Sequence, residues 1–295
     1  YTSIEFAKNN PVWLESGTSH KMQLVTGPAN ATDHRIKWTS SNKTAATVDE
    51  NGTVTALRPI ETVTITAVYK TNPALTCSWN LKITRTKGYI TKQMLDNLDL
   101  TSIKKVMITA HPDDETLWGG GHLIEGEYLV VCMTHGWNPK RRTAFEQTMR
   151  TTNDKYLILD YPDVRKTFSN GKYETDMLST CKNAMQEDIN LILSYKKWDL
   201  IATHNPFGEY GKFLHKTISQ MVTQCYNKMT NKSATLYYFG RYYNSSNKIP
   251  GEQIAPELLA IKNSMVGRYY PTAKGAIDAF GHMIPYENWL LPSEW

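Results

Sequence analysis

Two short runs hold the residues whose types and spacing suit chemistry. The first is Ala110-His111-Pro112-Asp113-Asp114-Glu115. The second is Thr203-His204-Asn205-Pro206-Phe207-Gly208-Glu209-Tyr210-Gly211-Lys212-Phe213-Leu214-His215. Across a strand-to-helix turn His111 and Asp114 can point at one metal ion, and a neutral imidazole with one carboxylate oxygen suits Zn²⁺. Asp113 is adjacent but directed elsewhere, so it can hold the proton of a water bound there. The plainer reading is an acidic first helical turn, where Asp and Glu complement the helix dipole. Phosphoryl transfer fits less well, because its paired aspartates are separated by one residue and these two are adjacent. His215 falls in the first turn of a helix. Alone it is an ordinary helix residue; on one sheet edge with His111 and Asp114 it becomes a third ligand.

The elements around these runs must bring them together. Residues 105–110 read as a buried strand, 116–124 as a helix and 128–134 as a second strand. A helix over 144–156, a short strand over 157–159 and a long amphipathic helix over 175–195 follow. Next come a strand over 199–203, a helix over 213–226, a strand over 235–239 and a helix over 256–266. Alternating strands and helices predict a mostly parallel α/β sheet with right-handed crossovers. Ligands in such sheets bind beyond the carboxyl ends of the strands, where both runs emerge. Tyr269, Tyr270 and His282 fall in a late loop-rich stretch that can wall a pocket. Gly119-Gly120-Gly121 does not form a dinucleotide loop, and His122 beside it reads as structural.

Residues 2–86 follow a different period. Short apolar–polar alternations are separated by Asn9-Asn10-Pro11, Gly27-Pro28, Asn51-Gly52 and Asn72-Pro73. Asn-Gly between Val48 and Val54 is a strong hairpin signal. Several strands in so short a stretch suggest a small all-β sandwich. His20 and His34 read there as solvated surface residues. The division expected is therefore 1–86, a linker and lead-in helix over 87–102, and an α/β domain over 103–295.

Composition narrows the class. The 295 residues are 40% hydrophobic and 21% charged, enough for a sizeable core. Net charge is +5, and the longest basic cluster is Lys140-Arg141-Arg142, too short for a nucleic-acid footprint. The sequence offers no apolar run long enough for a membrane span. Cys77, Cys132, Cys181 and Cys225 stand apart, so a cysteine zinc site is not expected. Sequons at Asn30 and Asn231 matter only in a eukaryotic secretory pathway.

Two family resemblances follow. Residues 2–86 resemble bacterial immunoglobulin-like domains of group 2, through Asn30-Ala31, Trp38-Thr39-Ser40-Ser41-Asn42, Ala46-Thr47-Val48-Asp49 and Asn51-Gly52-Thr53-Val54-Thr55-Ala56. The glycine usual before the last strand is replaced at about Glu61. That family is mostly found in surface and secreted proteins, which implies such a location and contact with a cell wall or polysaccharide through residues 1–86. Residues 103–290 resemble the PIG-L/LmbE-like superfamily of zinc-dependent N-deacetylases, through "AHPDDE" and "GEYGxxxH". This second resemblance implies a Rossmann-like three-layer fold and one zinc ion held by His111, Asp114 and His215. It makes Asp113 the general base and an N-acetylated amino sugar or glycan the substrate.

One position departs from that family, which usually reads His-x-x-His where this chain has Lys212-Phe213-Leu214-His215. An ammonium can stabilise an oxyanion but is a poor proton donor near neutral pH. Lys212 is therefore the expected oxyanion group, and His204 a substitute for the missing imidazole. Arg142, with Arg141 as its alternative, and Glu209 are the expected substrate contacts. Two rivals stand beside the deacetylase: a glycan-binding surface protein on a degraded enzyme domain, and another zinc amidase.

Overall fold

The computed structural model describes residues 2–28, 35–166, 173–174, 176–230 and 233–295. Asn30-Ala31, His34 and both sequons thus lie wholly or partly outside the described residues. The chain divides into two compact units, Tyr1–Lys87 with Glu174–Ala184 and Gly88–Tyr173 with Met185–Trp295.

The described strands of the first unit are β1 (Ser3–Phe6), β2 (Trp13–Glu15), β3 (Ser19–Lys21), β4 (Leu24–Gly27), β5 (Ile36–Ser40), β6 (Ala46–Val48), β7 (Thr53–Ala56), β8 (Ile60–Tyr69) and β9 (Thr76–Thr84). They form the sheets β2-β9-β8-β5 and β3-β7-β6, with β1 paired to β4. Alternate residues Val63, Ile65 and Ala67 of β8, and Leu81 and Ile83 of β9, are buried with Phe6, Val54 and Ala56. Each large aliphatic side chain so buried contributes roughly 1.5–3 kcal/mol. The Asn51-Gly52 turn joins β6 to β7 as the sequence predicts. Gly52 has φ +80°, and a Cβ there would meet the Trp38 ring at 2.5 Å, so only glycine fits. Asp49 Oδ1 accepts from the Asn51 and Thr53 amides at 2.9 and 2.8 Å and closes the turn.

The rest of the chain runs α1 (Lys92–Asp96), β10 (Lys105–Thr109), α2 (Asp114–Glu125), β11 (Tyr128–Thr134), α3 (Pro139–Thr152) and β12 (Lys155–Tyr161). Two-residue strands β13 (Arg165–Lys166) and β14 (Tyr173–Glu174) precede α4 (Asp176–Tyr195). Then come β15 (Leu200–Thr203), the single turn α5 (Gly208–Gly211), α6 (Phe213–Lys228), β16 (Thr235–Tyr238) and α7 (Pro256–Phe280). Strands β12-β11-β10-β15-β16 form one parallel sheet. Met107, Val130, Cys132 and Ala202 lie in one core cluster with apolar residues of α2, α3 and α7. The alternate residues Val106, Ile108, Leu129, Val131 and Ile201 are also fully buried, so both faces of the sheet are covered. The chain winds outward from β10 to β12, then returns to place β15 on the other side of β10. Parallel sheets bind ligands beyond the strand ends at such a reversal. Here those ends carry His111 and His204.

Two elements differ from the sequence reading. Helix α3 starts and stops earlier than 144–156. Asn138 accepts from the Lys140 and Arg141 amides, Pro139 fits the first turn, and Asn153 in the left-handed region (φ +59°) ends it. Residues 155 and 156 thereby open β12. Helix α7 runs to Phe280 rather than stopping at 266. Its buried stripe of Met265, Val266, Tyr269, Ala273, Ile277 and Phe280 holds it through Pro271, with a kink at Ala273 (φ −130°). Tyr269 and Tyr270 are therefore helical. His282 sits in a 3₁₀ turn facing the Tyr243 carbonyl, and none of the three lines the cleft at the strand ends.

Candidate metal centre

His111 and Asp113 leave the end of β10 together, and Asp113 is the N-cap of α2. Its side chain makes no capping hydrogen bond, and its φ is +140°, a region that disfavours any residue with a Cβ. An acid placed merely to finish a helix needs no such backbone. Asp114 turns the other way, and its Oδ2 accepts from the His111 amide at 2.8 Å.

Three donor atoms converge. His111 Nδ1 lies 3.0 Å from His215 Nε2 and 3.2 Å from Asp114 Oδ2, and His215 Nε2 lies 3.3 Å from that oxygen. The hydrogen-bond partners assign the ring protons. The Asp163 carboxylate takes His111 Nε2–H at 3.0 Å, and Glu209 takes His215 Nδ1–H. His111 Nδ1 and His215 Nε2 therefore face the Asp114 carboxylate. A cation can join three such atoms; without one, a second proton on His111 bonded to Asp114 does so, in keeping with its raised pKa. Bond lengths of about 2.0–2.2 Å to His nitrogen and carboxylate oxygen place tetrahedral donors roughly 3.3–3.6 Å apart; the 3.0–3.3 Å found here is at or slightly below that range. Two imidazoles and a carboxylate are a donor set that suits a divalent ion such as zinc.

Burial and charge tune the cluster. Burial opposes charge on His111, yet the Asp163 and Asp114 carboxylates lift its pKa to about 10. Burial lowers His215 to about 4, with the neighbouring His204 opposing protonation as well. Burial pushes Asp113 up to about 8, reinforced by the Asp114 charge beside it. Burial raises Glu209, but His204 and His215 outweigh it and bring Glu209 down to about 2.

His204 stands behind this cluster. Its Nε2 accepts the Ala110 amide at 2.9 Å, its Nδ1 donates to Glu209 at 3.0 Å, and its ring stacks on His215 at 3.9 Å. Like His215 it is fully buried, and both of its ring nitrogens are engaged. Glu209 is likewise buried, its carboxylate taken by the two imidazoles and the Asn205 amide. Lys212 does line the cleft, with His111, Asp113 and Asp114. Arg141 lines it too and donates to the Thr272 carbonyl at 3.2 Å. Arg142 points out and pairs with Glu146 at 3.4 Å. The asparagine cap sets this choice: with the helix starting at Pro139, position 141 faces inward and 142 does not.

Sequence reasoning passed over Asp163 and Tyr210. Asp163 follows the carboxyl end of β12, and that position was its available signal. Tyr210 sits in the second run, and its ring lies 5.7 Å from His215 and 4.4 Å from Phe280. Leu117, Trp118, Ala276 and Phe280 give the cleft an apolar wall.

Residues 1–78 match the family described as bacterial Ig-like domain (group 2). An uncharacterized protein, L374, of Acanthamoeba polyphaga mimivirus is 31% identical over 175 residues, 54% of this chain and 67% of that protein. An uncharacterized protein of Clostridium acetobutylicum is 32% identical over 117 residues; the match covers 39% of this chain and 12% of that protein. The crystal structure of the conserved protein TT1542 from Thermus thermophilus covers 65% of this chain and 96% of its own at 12% identity, with a TM-score of 0.46. Residues 1–78 are thus a bacterial Ig-like group 2 domain, and with two thirds of L374 matched at this identity, the chain belongs to the family of that mimivirus protein.

Proposed function

We propose that this chain is a zinc-dependent hydrolase that removes the acetyl group from an N-acetylated amino sugar or surface glycan, on a Rossmann-like sheet of the PIG-L/LmbE type. The observation that carries this reading is the convergence of His111 Nδ1, Asp114 Oδ2 and His215 Nε2 within 3.0–3.3 Å, beside a strained Asp113, at the reversal point of a parallel sheet. Zinc held there supplies Lewis acidity to an amide carbonyl and to the attacking water. Asp113, uncommitted to the helix end and ionised once a cation offsets its burial and the Asp114 charge, accepts the proton of that water and returns it to the leaving amine. The ammonium of Lys212 stands by the oxygen that becomes negative. The apolar wall of Trp118 and Phe280 excludes water and strengthens these charges. The Ig-like domain supports a cell-surface or secreted setting and a polymeric substrate.

Metal analysis joined to an acetate-release assay over a panel of N-acetylated sugars tests this. The wild type should hold about one divalent ion per chain and release acetate. Asp113→Asn should keep the ion and lose turnover; His215→Ala should lose most of the ion. Full occupancy in His215→Ala overturns the ligand set, and no acetate from any acetamide overturns the reaction. One feature favours a second reading, a binding protein without turnover: Lys212 where the resembling family has His. Binding of the panel without release, with turnover gained in Lys212→His, would establish it.

A further inference from the structure

A second groove adjoins the metal cleft, bordered by Phe207, Tyr210, Lys216, Arg241, Tyr242 and Trp295. Tyr210 borders both, so the groove begins one ring away from His215. Two of its four rings are exposed, Phe207 at 62% and Tyr210 at 42%. The Arg241 guanidinium lies over the Trp295 ring, 4.6 Å from its centre, and Phe207 packs against the same ring at 5.5 Å. A guanidinium held on an aromatic face keeps its planar fork of donors pre-arranged for an oxyanion. Lys216 adds a second exposed cation. Among the described residues, the one carboxylate side chain bordering the groove, Glu209, is buried and already bonded to His204 and His215. Aromatic faces beside two such cations suit a ring with apolar C–H faces and a negative substituent.

We propose that this groove is a second saccharide subsite, which reads an acidic group, carboxylate or phosphate, on the sugar next to the one held in the metal cleft. The placement of the first sugar rests on the deacetylase reading; the recognition of the acidic one does not. Three ligands test it by calorimetric titration of full-length Asp113→Asn protein, which should bind without turnover. They are a neutral N-acetylated trisaccharide, the same trisaccharide with a carboxylate on the neighbouring sugar, and the same with a phosphate there. The acidic ligands should bind about five- to tenfold more tightly than the neutral one, the gain of one or two exposed charge-assisted contacts. A gain confined to one acid supports the subsite and identifies its group. Arg241→Gln combined with Lys216→Gln should abolish the preference, so that all three ligands bind with the same affinity. Raising the salt concentration should shrink the preference in the unsubstituted groove, a measurement that needs no groove variant. Equal affinity for all three ligands, or a preference that survives both substitutions, overturns the proposal. Acetate release by the wild type from the same sugars is read separately. Preference without release defeats the deacetylase reading and keeps the subsite; release without preference does the reverse.

Discussion

Lys212 is the residue where this chain departs from the family it resembles, and its place in the cleft makes its role measurable. If its charge faces the developing oxyanion, Lys212→Ala should lower kcat by roughly 10²–10³, about 2.7–4 kcal/mol, with metal content unchanged. Steady-state kinetics with parallel metal analysis check this; full activity in that variant would place the charge elsewhere. Glu209 works through others. One carboxylate takes the Nδ1–H of both His204 and His215, and His204 in turn holds the Ala110 amide at the end of β10. It orients one proposed ligand directly and steadies the strand end that carries another. Such partners typically govern metal affinity by roughly 10–100-fold. Glu209→Gln should weaken binding by about that much in a competition titration with a chromophoric chelator. An unchanged affinity would mean that Glu209 only fills space.

At the scale of elements, helix α2 carries the site and is fastened by an ion pair. Lys262 of α7 is fully buried, and its Nζ meets Glu287 Oε1 at 2.6 Å. Glu287 also accepts the Gly121 and His122 amides at 2.6 and 3.1 Å. The glycines of α2 make this possible. A Cβ on Gly120 would come within 2.9 Å of the Lys262 stem, and one on Gly121 within 3.1 Å of the Glu287 carboxylate. His122 stacks on Trp289 at 3.7 Å, the structural role the sequence suggested. Removing one partner of a buried pair strands the other charge, at a cost of about 3–5 kcal/mol. Lys262→Met should destabilise the protein by that amount in urea unfolding, and adding Glu287→Gln should recover most of it. A mild effect from Lys262→Met alone would show that the pair is not needed.

On the scale of the whole molecule, every site residue named above lies in Gly88–Tyr173 or Met185–Trp295. A chain starting at Gly88, which keeps all of α4, should therefore still bind the metal with the full-length affinity. Equilibrium dialysis of that chain is the check, and lost affinity would mean that the Ig-like domain supports the centre. Binding to polymeric glycans should fall in the same chain, since the surface role proposed for residues 1–87 goes with them.

Patterns local in sequence were legible without a structure. The period of two over residues 2–86, the Asn51-Gly52 turn and the alternation of strands with helices follow from backbone geometry and side-chain burial within a few residues. His111, Asp113 and Asp114 were readable for the same reason: one strand-to-helix turn sets their directions. Even His215 was within reach, because a parallel sheet brings neighbouring strand ends to one edge. Tertiary structure decided what depends on a rotation or a distant partner. A helix that starts at Pro139 turns Arg141 inward and Arg142 out, a difference of one position that composition cannot register. Bonds to the Ala110 amide and Glu209 engage both ring nitrogens of His204, a commitment that only the packed strand ends create. Asp163, 52 residues from His111, becomes its partner only when the third strand of the sheet lies beside the second. Chain separation carries no trace of such a contact; only the packed sheet, which fixes where each strand ends, brings the two side chains within hydrogen-bond distance.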